Sequence, residues 1–366
     1  MTRSTLFALA AAGLVSAACS GTESKGTRDS AAASPSPASA RSGGVDLTGA
    51  GATFPYPIYS KWIADYTAKT GIKINYQAIG SGGGIRQLSE GTVDFAGSDA
   101  PMTDEEMAKA KGGPIIHIPT VLGAVVITYN LPDATQPLSL SGDVVADVFL
   151  GKITKWNDNR IAALNSGVKL PATDILVVHR AEASGTTYIF SDYLTAVSPA
   201  WSSGPGKGKE LKWPVGLGGK GNDGVSGQVK QTPGTIGYVE LAYANQNKLP
   251  VAKIKNAAGQ FVVPTIESIT AAAAGAVEKL PPTTDYRVSI VNAPGAAAYP
   301  ISSFTWLLMY QKQTDATKAK KLTDFLQWAL TDGEGSAGAL DYAPLPEALS
   351  KQLLEKLASI QGGTAS

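Results

Sequence analysis

Apolar positions along this chain change period repeatedly. Between residues 55 and 70, PYPIYSKWIADYTAKT places Tyr59, Trp62, Ile63 and Tyr66 on one face of a 3.6-residue period, which predicts an amphipathic helix. Prolines in its first turn and Gly71 after its last residue mark its start and stop. IKINYQAI (72–79) alternates apolar and polar as a strand does. GIRQLSEG (84–91) predicts a short helix closed by Gly91, and TVDFAGSD (92–99) a strand running into a loop. IIHIPTVLGAVVITYNL (115–131) is continuously apolar and rich in β-branched residues, the pattern of strands buried on both faces. Strand and helix signals alternate as far as SIVNAP (289–294), and ISSFTWLLMY (301–310) is again strand-like. Two helices end the pattern: KAKKLTDFLQWAL (318–330) and PEALSKQLLEKLASI (346–360), with Pro346 opening the second. Such alternation implies open α/β sheets, whose ligand sites lie at the carboxyl ends of strands.

The first residues break this pattern. Arg3 precedes an apolar run from Leu6 to Ala18 that is too short to span a bilayer, which takes about 20 residues. Residues 1–18 read as a secretory signal peptide. Cys19 is the single cysteine and cannot form an internal disulfide. Its position behind Ser16-Ala17-Ala18 resembles a bacterial lipobox, in which the cysteine is lipidated; Ser16 departs from the aliphatic residue usual there. The alternative is an ordinary signal peptide ending near a cysteine. Residues 19–45 contain Ser, Ala, Gly, Pro and Thr with scattered charges, too little apolar surface to offset ordering entropy, and read as a disordered tether.

Composition narrows the function. The 366 residues suggest about two domains. Apolar residues make up 43% and charged residues only 17%, with 40 Gly and 22 Pro, which suits a loop-rich α/β protein. Lys+Arg 31 against Asp+Glu 30 gives +1, and loss of Arg3 with the leader takes the basic count from 31 to 30. No basic excess exists to drive nucleic-acid binding, so any anion must be caught locally.

Three strand-to-helix turns carry the chemistry for that. GAGATFPYP (49–57) places Thr53 before the first long helix, GSGGG (80–84) places Ser81 before the short one, and HRAEASGTTYIFSDYL (179–194) places Ser184-Gly185-Thr186 behind Arg180. The first backbone N–H groups of a helix lack partners and the dipole is positive there. A hydroxyl adds a donor, and glycine admits close backbone approach. Each turn alone is a plain helix cap; three in one chain, one beside an arginine, point to a shared anion site.

The parts of a hydrolase are missing. GSGGGIRQ and GLGGKGNDG (216–224) lack P-loop spacing, and neither Ser81 nor Ser184 lies in GxSxG. One Cys and two His (His117, in an apolar run, and His179) do not make a zinc site of the usual kind. DEE (104–106) reads as the first turn of a solvated helix. Binding without catalysis, metal or cofactor is the expectation.

Several of these segments, with others, carry a resemblance. GAGATFPYPIYSKW, GSGGG, DFAGSDAPM, the RAEASGTT run, KWPVGLGGKGNDGV and PGTIGYVELAYA, in this order from about Leu47 to about Leu357, closely resemble the bacterial phosphate-binding proteins that serve the high-affinity phosphate ABC transporter. The resemblance implies a two-domain periplasmic binding protein fold of type II: two open α/β sheets joined by a two-crossing hinge, with domain I at 46–120 plus 297–366 and domain II at 121–296. It also implies phosphate in the cleft and delivery to a membrane permease, while the leader and Cys19 imply an exported protein held at the cell envelope, in the periplasm or on the outer face of the plasma membrane, only by its lipid anchor. Position by position, the implied ligands are Thr53 and Phe54 of the ATF motif, Ser81, Asp99 of the SDAP motif, and Arg180, Ser184, Gly185 and Thr186. Glu182 and Ala183 replace the Asp and Gly of the family's arginine motif. The longer Glu182 implies a rearranged or looser salt bridge to Arg180.

Asp99 would supply the selectivity. An ionised carboxylate only accepts hydrogen bonds. Phosphate near neutral pH retains a proton, its second pKa being about 6 in esters, whereas sulfate has none to give. A binding protein for another oxyanion, such as sulfate or molybdate, is disfavoured on that ground. A phosphatase-like enzyme on the same scaffold is disfavoured by the missing nucleophile–base pair.

Overall fold

The pattern of the chain becomes an α/β fold in which every parallel strand hands the chain to a helix. The computed structural model describes residues 46–134, 136–277, 280 and 284–362. The leader, Cys19 and the whole tether (19–45) lie outside the described residues. Eight strands form one sheet, in the order Ile74–Ala78, Leu47–Gly51, Phe95–Ser98, Ser302–Tyr310, Ile115–Tyr129, Thr235–Glu240, Leu176–Arg180 and Leu217–Gly219.

The long apolar run proves to be a single strand. All 15 residues of Ile115–Tyr129 are buried. Up to Ala124 it pairs antiparallel with Ser302–Tyr310, and from Val125 with Thr235–Glu240. The two open sheets implied by the resemblance are the two halves of this one eight-stranded sheet, joined through this strand. One of its residues, Pro119, has no N–H to give to the ladder, and the register with Ser302–Tyr310 shifts opposite it, between Thr305 and Trp306. Val125 N–H donates to Ile301 O at 2.9 Å, so the returning chain lies against the strand where its partner changes.

The first helix, Tyr56–Thr70, buries Tyr59, Trp62 and Tyr66 as its period requires, while Ile63 is half-buried. Trp62 Nε1 donates to Gly333 O at 2.7 Å, and Tyr66 packs edge-on to Phe325 of the helix Ala316–Ala329. The short helix starts three residues earlier than its apolar period suggests, at Ser81–Glu90, because Gly80 at φ 91° turns the chain into it. Thr103 and Glu106 form a capping box on Asp104–Ala108, consistent with DEE as a first turn. SIVNAP is not a strand: Asn292 at φ 52° and Gly295 at φ 131° bracket a run of turns. The last helix, Glu347–Leu357, starts behind Pro346.

Candidate functional site

Two sets of parallel strands, one of three and one of two, run in opposite senses and bring their carboxyl ends to one place. Leu47–Gly51 leads to Thr53, Ile74–Ala78 to Ser81, Phe95–Ser98 to Asp99, Leu176–Arg180 ends on Arg180, and Leu217–Gly219 leads to Asn222. Four helices start there: Tyr56–Thr70, Ser81–Glu90, Gly185–Val197 and Gly221–Gln231. Of these four helices only Gly185–Val197 has a side-chain cap, Ser184 Oγ accepting from Thr187 N at 3.2 Å; the other three starts have no such bond. Their dipoles and N–H groups make the site electropositive without a cluster of cations.

All the sequence-predicted residues of the cleft meet here, and none of Thr53, Phe54, Ser81, Asp99, Arg180, Ser184 or Thr186 is more than 3% exposed. Ser81 Oγ accepts from Asp99 N at 3.3 Å and from Gly185 N at 3.1 Å, which joins the second turn to the third. Gly185 has no room for a side chain: a Cβ there would lie 2.5 Å from both Asp99 Oδ2 and Ser81 Oγ. Arg180 Nη1 donates to Thr186 Oγ1 at 2.9 Å.

The arginine is held through one oxygen of Glu182. Both Nε (3.1 Å) and Nη2 of Arg180 donate to Glu182 Oε1, as does Gly221 N at 3.1 Å, while the buried Oε2 has no partner. The bridge is made, but both guanidinium donors share a single acceptor rather than pairing with two as in a fork. The added methylene folds over Gly80, whose Cβ position would be 2.9 Å from Glu182 Cγ.

Asp99 is the group with the most distinctive electrostatics. Burial pushes its carboxyl up to about 7, against the opposing effects of the Thr305 hydroxyl, the charge of Arg180 and Ser81. Thr305 Oγ1 donates to Asp99 Oδ1 at 2.8 Å. Thr305 sits at the register shift opposite Pro119, and bulges of this kind re-aim side chains.

The histidines have other surroundings. His117 Nε2 accepts from Met102 N at 3.0 Å, and burial pushes its pKa down to about 4, as befits a neutral core histidine. His179 stacks on Trp213 with centroids 4.5 Å apart, and its Nδ1 lies 2.9 Å from Arg180 O.

Several residues of the site escaped the sequence reading. Asn222 is fully buried and touches both Thr53 Oγ1 and Thr186 Oγ1. Tyr342 OH donates to Phe54 O at 2.6 Å and lies 3.2 Å from Glu240 Oε2, and Tyr243 OH donates to Thr53 O at 2.6 Å. GGKGND carries a signal for Asn222, a fourth glycine-rich turn before a helix; its sequence excludes a P-loop and contributes to the resemblance without marking Asn222 itself. The tyrosines had none, since their partners lie 190 and 288 residues away.

Comparison with known proteins gives the family and the fold. The family model of the PBP superfamily domain matches residues 23–333. The phosphate-binding protein PstS of Xylella fastidiosa is 46% identical over 333 residues, covering 90% of each chain. The chain belongs to the PstS family of phosphate-binding proteins. The PstS of Pasteurella multocida is 46% identical over 308 residues, covering 84% of this chain and 88% of the relative. A crystal structure of a phosphate-binding protein from Stenotrophomonas maltophilia superimposes with a TM-score of 0.68 at 23% identity, covering 84% of this chain and 93% of that one, and shares the fold. Among the described residues no helix is long and apolar enough to cross a membrane.

Proposed function

We propose that this member of the PstS family binds inorganic phosphate in the enclosed site and hands it, without chemical change, to the membrane permease of an ABC transporter. The observation that carries the reading is a buried carboxyl, Asp99, set among N–H and O–H donors at the junction of four helix starts. Thr53 through its hydroxyl and N–H, Phe54 N–H, Ser81, Arg180, Ser184, Gly185 and Thr186 are the donors. Asp99 is the one acceptor.

The physics follows from the charges. One guanidinium does not balance a phosphate dianion; helix starts and backbone N–H groups supply the remainder without having to move. Each hydrogen bond to the charged ligand contributes about 1.5–3 kcal/mol. Asp99 shares one proton with phosphate, which neutralises what would otherwise be two facing anions. Sulfate brings no proton and leaves the carboxylate unpaired; sites built on such a hydrogen bond discriminate by about 10⁴–10⁵.

Thr53, Ser81 and Asp99 stand on the part of the sheet that ends at Ser302–Tyr310, and Arg180 to Thr186 on the part beyond Thr235–Glu240. We read these as two domains, 46–120 plus 297–366 and 121–296, that close over the anion, so that the ligand stabilises the form a permease recognises. Export through the leader at 1–18 and anchoring through a lipid on Cys19 complete the reading. Calorimetry of dialysed protein with phosphate, sulfate and arsenate tests it. Phosphate is expected to bind, arsenate to bind too because it carries the same proton, though more weakly, and sulfate not at all; tight sulfate uptake, or no phosphate uptake, defeats the proposal.

A further inference from the structure

We propose that Asn222 is a positioning residue that locks the hydroxyls of the site as donors toward the anion. This rests on the phosphate reading above and says how the site tells an oxyanion from a ligand with donors of its own. A hydroxyl has one O–H and two acceptor lone pairs. If both lone pairs already accept N–H bonds, the only capacity left is donation. Thr53 Oγ1 accepts from Asn222 N at 3.3 Å and from Asn222 Nδ2 at 2.9 Å. Thr186 Oγ1 accepts from Asn222 Nδ2 at 3.3 Å and from Arg180 Nη1 at 2.9 Å. Ser81 Oγ accepts from Asp99 N and Gly185 N. Three hydroxyls from three turns are thus each filled twice by donors that cannot reverse.

Asn222 sets this polarity at two of the three. Its amide orientation is fixed by the backbone: Glu240 N donates to Asn222 Oδ1 at 3.0 Å, so the nitrogen must face the two threonines. Its two N–H bonds match the two hydroxyl oxygens, one from each part of the sheet. The residue is 0% exposed, and its helix start is tied through Gly221 N to the same Glu182 oxygen that holds Arg180. A rotating hydroxyl could serve a ligand O–H as well as an oxyanion; a locked one serves only an acceptor.

Two substitutions separate this role from simple packing. Asn222→Ala removes the side-chain donors, and the near-isosteric Asn222→Asp replaces them with acceptors that draw the hydroxyl protons away from the ligand. Phosphate Kd is measured by calorimetry at pH 8 and pH 5.5, with near-ultraviolet circular dichroism to establish folding. Asn222→Ala is expected to bind about 10- to 100-fold more weakly than the parent. Asn222→Asp is expected to bind at least about tenfold more weakly again at pH 8, and to recover toward the alanine variant at pH 5.5, where the new carboxyl regains a proton. If Asn222→Asp does not fold, Asn222→Ala and Asn222→Ser carry the test: serine, with a hydroxyl that can still donate, is expected to fall between alanine and the parent. Parent-like affinity in the substituted proteins, or losses of equal size with one pH profile for Ala and Asp, overturns the inference while leaving phosphate binding intact. Absence of phosphate binding in the parent overturns the reading beneath it.

Discussion

In the proposed reading a single carboxyl carries most of the selectivity. Asp99 titrates at about 7 when folded, against about 3.9 for an unperturbed aspartate. The folded state therefore holds this proton more tightly than the unfolded state, and the group's contribution to stability falls as pH rises from about 4 to about 7. Urea unfolding of phosphate-free protein at pH 4.5 and 7.5 should show this as a downward term of a few kcal/mol that Asp99→Asn removes. His117 works in the opposite direction, being held neutral with its pKa at about 4, so the comparison with the variant isolates the aspartate. Below about pH 7 the protonated Asp99 becomes a donor, and sulfate competition should grow as the pH falls in the parent. Gly185 is the second decisive residue. Because a Cβ would meet Asp99 and Ser81 at 2.5 Å, Gly185→Ala should weaken phosphate binding at least about a hundredfold while leaving the fold in place, read by calorimetry beside circular dichroism. Thr53, Ser81, Arg180 and Ser184 were legible from sequence because hydroxyl, glycine and cation lie beside one another in the chain. Thr305 was not, since its partner Asp99 lies 206 residues away; Asn222 stands in a legible glycine-rich turn, but its pairing with Thr53, 169 residues away, does not show in the chain.

At the scale of elements, helices and strands were readable where period and punctuation agreed. Tyr56–Thr70 is the plainest case, bounded by proline and Gly71. Glycine misled in Ser81–Glu90, where SGGG has no apolar period and yet forms the first turn, since Gly80 redirects the chain and Gly84 packs 2.5 Å (as a Cβ) from Ala50 O. The run 115–131 showed burial but not that one strand would serve two partners, because pairing is decided by distant segments. The register shift at Thr305 is the element feature with the most direct link to the site. Thr305→Val keeps the strand and removes the donor to Asp99, so phosphate affinity at pH 8 should fall by roughly tenfold, measured as Kd. Trp62→Ala, which empties a fully buried site and breaks the bond to Gly333, should lower stability by about 3–5 kcal/mol in urea unfolding without altering selectivity.

The whole molecule brings distant parts of the chain together at the rim as well as inside. Lys209 Nζ lies 2.6 Å from each oxygen of Glu106, and Lys209 O accepts from Ser184 N at 2.8 Å. This ion pair ties the turn bearing Ser184 to the helix that follows the SDAP loop. It is partly exposed, so its worth is small, about 0–1 kcal/mol. Lys209→Met should raise the phosphate dissociation rate by no more than about fivefold, seen by stopped-flow fluorescence, with the difference from the parent fading at high salt. The near-neutral charge balance of the chain, Lys+Arg 31 against Asp+Glu 30, gives no long-range attraction, which in the proposed reading places the affinity in local donors and in exclusion of water from the site.

The most direct test is the ratio of phosphate to sulfate affinity at pH 8 for the parent and for Asp99→Asn, measured by competition calorimetry. The proton-sharing account predicts a ratio of about 10⁴ or more in the parent and its collapse in the variant, chiefly through sulfate binding gained rather than phosphate binding lost. An unchanged ratio would contradict it.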